Sequence, residues 1–179
     1  MTRYAALLRG VNVGGRRKVP MADLREVLAG LGHTEPATLL QSGNAVFTAR
    51  AGGGGADALR AELEGALADR FGFPVEALLR EESELAAVVD ANPLEVGDPS
   101  RFLILFADGP VAPADLEGID AGAYAPEAMA AGEREVYLAL PEGLRNAKLP
   151  ALVERALRGR TVTGRNWRTV VRLLDMLRG

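Results

Sequence analysis

The sequence has no cysteine and only one histidine, His33. The absence of cysteine excludes disulfide bonds, a thiolate nucleophile, Cys-ligated zinc and iron–sulfur clusters. A single histidine excludes a His-rich metal site and leaves little room for a histidine-based catalytic triad. The sequence therefore predicts no metal site, and it leaves the identity of any other cofactor open.

Long hydrophobic runs are also missing. The longest apolar stretch with the pattern of a strand, Phe102 to Ala107, is far shorter than the ~20 residues that a membrane-spanning helix needs. We therefore expect a soluble, cytoplasmic protein with no membrane partner. A chain of 179 residues buries roughly 70% of its extended-chain surface on folding, which supports one large domain or two small ones without covalent cross-links.

Positive charge is concentrated at the two ends of the chain, although the net charge is only −3. The first 22 residues contain five cations and no acid, and residues 143–179 contain nine cations and two acids. The segment between them is correspondingly acidic. This asymmetry predicts an anion-binding face, or else a fold in which the acidic middle and the basic ends neutralise each other.

The order of apolar patterns in the first 80 residues predicts the element order β-α-β-β-α-β. A short apolar run, Tyr4 to Leu8, is followed by a helix pattern that ends at Gly32. Two further strand patterns flank a turn at residues 41–44, and a second helix pattern ends at Gly72. With a last strand over residues 75–79, this is the order of a ferredoxin-like split βαβ lobe.

The rest of the chain predicts a second α+β lobe with a less regular pattern. Phe102 to Phe106 is typical of a central strand, and residues 123–129 and 135–140 are predicted to pair as a hairpin. We expect one helix over residues 147–158 and a last helix from about Arg165. The predicted fold is α+β, with two packed ferredoxin-like lobes that have antiparallel sheets. The predicted domains are residues 1–80 and 81–179.

The most unusual segment, Arg9 to Lys18, contains three glycines and four cations. Glycine allows the backbone to curl so that N–H groups converge on an anion, and arginine and lysine add charged donors. Gly10 and Gly15 have the spacing of a phosphate loop. Arg16 and Arg17 stand where its lysine and hydroxyl residue belong, which argues against a nucleoside triphosphatase. The segment predicts an anion-binding loop, with a glycine-rich turn carrying solvated cations as the alternative.

Two further polar motifs accompany this loop. The turn Gln41-Ser42-Gly43-Asn44 is typical of a hairpin, and its side chains are predicted to add hydrogen bonds beside the basic loop. Near the end of the chain, Arg165 and Asn166 are predicted to open the last helix, with Thr163 or Asn166 as its cap. Free N–H groups at a helix start attract anions, and Lys148 is a further candidate cation upstream.

These motifs together resemble the domain-of-unknown-function family numbered 1697, a family of small bacterial proteins. The resemblance covers nearly the whole chain. This sequence has Ala147, Gly164 and Arg168 where the family pattern has serine, threonine and asparagine. The resemblance implies a two-part α+β fold related to ferredoxin-like lobes and no particular substrate or reaction. The matching stretches are residues 6–15, 18–21 with Leu24, 41–44 with Val46 and Phe47, 92–93, 148–149 and 165–167.

The leading hypothesis is a binding site for a phosphorylated or otherwise anionic small molecule, and the sequence leaves open whether the protein is an enzyme. Nucleic-acid binding on the basic face and a structural homodimer without a ligand are the alternatives. We expect His33, which follows the helix-ending Gly32, to serve as an exposed cap or carbonyl contact. The candidate ligand-binding residues are Arg9, Asn12, Gly14, Gly15, Arg16, Lys18, Gln41, Ser42, Asn44, Lys148, Arg165 and Asn166.

Overall fold

The computed structural model describes residues 1–179, and the chain divides into two compact units. The first contains Met1–Leu85 together with Leu173–Gly179, and the second contains Ala86–Arg172. Each unit has one four-stranded sheet in which all neighbouring strands are antiparallel. This confirms the predicted α+β class with two antiparallel sheets. None of the helices is both long and apolar enough to cross a membrane.

The first unit follows the predicted βαββαβ order, and its sheet has the strand order β2-β3-β1-β4. Its two main helices bury their apolar faces against one side of the sheet, because leucine and valine recur at helical spacing. The third helix begins directly after the last strand. The elements are β1 (Arg3–Leu8), α1 (Met21–Gly30), β2 (Thr34–Leu39), β3 (Asn44–Thr48), α2 (Ala56–Phe71), β4 (Ala77–Glu81) and α3 (Glu82–Asp90), of which the part from Ala86 onwards belongs to the second unit.

The second unit repeats this strand arrangement with shorter helices. Its sheet has the order β6-β7-β5-β8, and the inner strand β5 is fully buried, as its apolar sequence predicts. The last helix follows the edge strand without a loop. The elements are β5 (Phe102–Ala107), α4 (Pro113–Leu116), β6 (Ala128–Ala131), β7 (Glu135–Ala139), α5 (Leu149–Ala156), β8 (Val162–Asn166) and α6 (Trp167–Arg178), of which the part from Leu173 onwards belongs to the first unit.

Strand register shows that the two sheets are built on the same plan. On β4, Arg80 lies opposite Ala5 of β1. On β8, Arg165 lies opposite Ile104 of β5. Each arginine therefore occupies the same position in its own sheet, and both are buried. The two sheets therefore share a strand order and the position of one buried arginine, although the two halves share no evident sequence repeat.

Two sequence predictions are wrong at the level of single residues. Arg165 lies in β8 and the last helix begins at Trp167. The strand escaped prediction because Gly164 lowers its β propensity; a Cβ there would lie 3.0 Å from the end of the Leu105 side chain, so a larger residue would require that side chain to shift. His33 is buried, not exposed, because its ring packs on the ring of Phe47 at a centroid distance of 4.6 Å.

Candidate anion-binding site

The glycine-rich segment folds as a small β-hairpin, which we call the basic hairpin (residues 9–19). The N–H of Asn12 donates to the carbonyl of Arg17, and the N–H of Arg16 donates to the carbonyl of Val13, each at 3.1 Å. Gly14 and Gly15 form the tip with φ angles of 59° and 71°, the left-handed backbone of a two-residue hairpin turn. The predicted anion-binding loop is therefore an exposed hairpin rather than a curled phosphate loop.

Asn12 holds the base of the basic hairpin together. Its φ angle is 56°, a left-handed conformation that asparagine tolerates better than most residues. Its Oδ1 accepts the N–H of Val19 at 2.9 Å, and its Nδ2 donates to the carbonyls of Val19 at 2.9 Å and Gln41 at 2.6 Å. Asn12 thus joins the hairpin to the neighbouring turn, and its polar atoms are committed to the fold.

The turn that precedes β3 packs directly on the basic hairpin. The N–H of Leu8 donates to the carbonyl of Gly43 at 2.8 Å. A Cβ at Gly43 would lie 2.7 Å from the side chain of Val11 and 2.8 Å from that of Leu8, so only glycine permits this approach. The fully buried Asn44 donates from Nδ2 to the Ser42 hydroxyl at 2.9 Å. The predicted residues of these two segments therefore lie together, with Ser42 and Asn44 shaping the turn.

A pocket of about 350 Å³ lies beside the hairpin and is lined by Arg9, Gly10, Arg17, Pro74 and Glu76. Arg9 Nη1 lies 2.8 Å from Glu76 Oε2. The guanidinium of Arg17 donates to the carbonyl of Pro74. The N–H of Gly10 has no acceptor within the chain. Two arginines and a glycine whose N–H has no acceptor in the chain therefore line one concave space.

The pocket includes residues that sequence reasoning missed. Glu76 and Pro74 come more than fifty residues after the basic hairpin, just before β4 begins. Phe73 lies under the guanidinium of Arg17, which is 5.4 Å from the ring centroid. The predicted βαββαβ order carries the relevant signal, because it makes β1 and β4 neighbours. The segment leading into β4 therefore lies at the end of β1, where the basic hairpin starts.

The cations of the basic hairpin differ in how far they are neutralised. Arg9 shares its charge with Glu76, and Arg17 contacts a ring and a carbonyl but no carboxylate. Arg16 and Lys18 are exposed and form no ion pair. The hairpin and pocket together therefore carry four cations and one carboxylate, which leaves a net positive surface for a negatively charged ligand.

The remaining predicted residues belong to the second unit, where each has a contact of its own. The N–H groups of Lys148 and Leu149 donate to the carboxylate of Glu127 at 2.9–3.1 Å. Asn166 Oδ1 accepts the N–H of Thr169 at 2.9 Å and caps α6, as the sequence predicts. The start of α5 thus already holds an internal carboxylate.

Arg165, the other predicted binding residue of the second unit, lies on β8 and is only 7% exposed. Its Nη1 donates to Thr163 Oγ1 and to the carbonyl of Gly164, both at 2.8 Å. Burial lowers the pKa of its guanidinium to about 10, because removal from water disfavours the charged form. Its hydrogen bonds to neutral oxygens offset part of that cost.

Comparison with known proteins places the chain in a family. Residues 1–137 match the family model described as protein of unknown function (DUF1697). The chain belongs to this family. Among solved structures, the DUF1697 chain is similar to the conserved bacterial protein SP0830 from Streptococcus pneumoniae. The two are 25% identical, the alignment covers 100% of this chain and 99% of that one, and the TM-score is 0.73. No curated protein matches the DUF1697 chain.

Proposed function

We propose that this DUF1697 protein binds a phosphate-bearing small molecule in the pocket beside the basic hairpin. The observation that carries the proposal is that Arg9 and Arg17 line one pocket together with Gly10, whose N–H has no acceptor in the chain. Guanidinium groups recognise phosphate through paired, charge-assisted hydrogen bonds. A volume of about 350 Å³ is at the small end of ligand pockets. A compact phosphate ester is therefore the expected guest.

Contacts to the fold preorganise both arginines. Arg17 is held by the ring of Phe73 and the carbonyl of Pro74. The N–H of Arg9 donates to the carbonyl of Glu76 at 2.9 Å, which fixes the start of its side chain. Preorganised donors bind more tightly because less conformational entropy is lost on binding. Exposed Arg16 and Lys18 add long-range attraction that salt screens.

Calorimetric titration with inorganic phosphate tests the proposal. Arg17→Gln removes the guanidinium that no carboxylate neutralises, and we expect it to weaken phosphate binding at least tenfold. Arg70→Gln is a matched control, because Arg70 is also an exposed arginine of the first unit but pairs with Asp23 and Glu26 outside the pocket. Equal phosphate affinity in the wild type and Arg17→Gln would contradict the assignment.

Nucleic-acid binding is the second candidate, supported by the exposure of the hairpin tip. Val13 is 66% exposed, and Arg16 and Lys18 beside it have no ion pair. Tyr4 and Phe47 are buried in the core with α1 and α2, so they offer no surface on which bases stack. Binding would then depend on phosphate contacts alone, and we expect retention on an RNA column to fall steeply with salt. Retention that is flat between low and moderate salt would reject this candidate.

A further inference from the structure

We infer that the ligand of this pocket carries a positively charged or hydrogen-bond-donating group close to its phosphate, as in a phosphorylated amine. The inference rests on the proposed function and adds the chemical class of the ligand. It comes from Glu76, the one carboxylate in a pocket lined otherwise by cations and uncharged groups.

The carboxylate of Glu76 lies at the pocket wall, and only one of its two oxygens has a hydrogen-bond partner in the chain. Its Oε2 accepts from Arg9 Nη1 at 2.8 Å, while its Oε1 has no partner. The side chain is 46% exposed, and its main-chain carbonyl binds the N–H of Arg9. Glu76 therefore lines the pocket with a carboxylate of which one oxygen has no partner in the chain.

The two arginines are not equivalent in this arrangement. Arg17 contacts Phe73 and Pro74 and no carboxylate, so no negative charge in the chain neutralises it. Arg9 divides its charge with Glu76. A phosphate ester is thus attracted most strongly at Arg17, and Glu76 lines the same small pocket.

A ligand that bears only negative charge is repelled by Glu76, whereas an ammonium group next to the phosphate is attracted by it. An ammonium or hydroxyl donor would also occupy the free Oε1 without displacing Arg9 from Oε2. The charge pattern of two guanidinium groups and one carboxylate is therefore complementary to a phosphate and an amine in one small molecule.

Calorimetric titration with phosphoethanolamine and with ethyl phosphate tests this inference, because the two compounds differ by one ammonium group. We expect the wild-type protein to bind phosphoethanolamine at least tenfold more tightly than ethyl phosphate. In Glu76→Gln the ratio should fall to near one, while ethyl phosphate binds as well as before or better. Glu26→Gln, which removes another exposed carboxylate paired with an arginine, should leave the wild-type ratio unchanged.

The outcomes separate this inference from the proposed function. Equal binding of the two compounds by the wild type overturns the role of Glu76 and leaves phosphate binding intact. No binding of either compound overturns both. A ratio that persists in Glu76→Gln also overturns the inference. Circular dichroism melting of each variant confirms that the exposed substitutions leave the fold in place.

Discussion

The side-chain amide of Asn12 forms two hydrogen bonds with the main chain of Val19, as the main chain of a neighbouring strand residue would. Oδ1 accepts the Val19 N–H and Nδ2 donates to the Val19 carbonyl, each at 2.9 Å. The same Nδ2 reaches the carbonyl of Gln41. One side chain thus closes the basic hairpin and attaches it to the turn before β3, which holds the pocket-lining Arg9 and Arg17 in a defined loop.

Replacement of Asn12 by alanine should lower the free energy of unfolding by about 1–3 kcal/mol, because main-chain groups of Val19 and Gln41 lose their partner. Urea denaturation measures the change. Gln41→Ala is the matched control: only the main-chain carbonyl of Gln41 bonds to Asn12, so its stability should stay within about 0.5 kcal/mol of the wild type. A fully stable Asn12→Ala would show that the hairpin closes without this amide.

Gly43 and Gly14 provide a second test, because both have positive φ but different surroundings. At Gly43 a Cβ would lie 2.7 Å from Val11 and 2.8 Å from Leu8, whereas at Gly14 it would meet nothing within 4 Å. Gly14→Ala should therefore cost only the left-handed strain of about 1–2 kcal/mol. Gly43→Ala should cost distinctly more in chemical denaturation, because it adds a steric clash to that strain. Equal losses would mean that the turn moves away freely from the hairpin.

Most of the helices and strands could be predicted, because the residues that become buried form recognisable apolar patterns in the sequence. The apolar face of α1 recurs at helical spacing, and Gly72 ends α2 with a φ angle of 76°. The continuous apolar run of β5 predicted an inner strand. Periodicity failed at β8, where Gly164 and the polar Arg165 interrupt the pattern, so the sequence predicts that Arg165 begins the helix that follows.

The pocket was only partly predictable, because its second wall comes from a distant segment. The glycines and cations of the basic hairpin predict an anion-binding loop. No local sequence pattern predicts that Glu76 and Phe73 lie beside it. Their position depends on the pairing of β1 with β4. Local sequence also gave no indication that Asn44 is fully buried, because a polar turn residue is usually exposed.

The start of α5 yields a further prediction. The carboxylate of Glu127 accepts the N–H groups of Lys148 and Leu149, which otherwise lack partners in the first turn. Glu127→Ala should lower the free energy of unfolding by about 1 kcal/mol, as loss of a capping side chain does. Glu127→Gln keeps one acceptor oxygen and should lose less. Thermal melts of the two variants check the order, and an unchanged Glu127→Ala would exclude a capping role.

His33 makes folding sensitive to mild acid. Its Nδ1 accepts the N–H of Arg50 at 3.2 Å, a bond that a protonated ring cannot accept. Its Nε2 is buried without a partner. Burial, followed by the charge of Arg50, lowers the pKa of His33, although Glu62 acts in the opposite direction. The folded state therefore favours the neutral ring.

The sign of the pH effect follows from that lowered pKa. The unfolded chain binds a proton at His33 more readily than the folded chain, so this contribution to stability is present above the ordinary pKa of about 6.5. It is lost as the pH falls from there towards the folded pKa. The free energy of unfolding from urea titrations should decrease between pH 7 and pH 5.

The substitution His33→Gln removes the titrating ring, which is the only histidine in the chain, and keeps a side-chain oxygen as an acceptor for the Arg50 N–H. This variant should lose part of its stability at pH 7, because glutamine does not reproduce the packing of the ring on Phe47. Its decrease in stability between pH 7 and pH 5 should be smaller than that of the wild type. If the wild type instead becomes more stable on acidification over this range, or if both proteins show the same slope, His33 is not the group responsible.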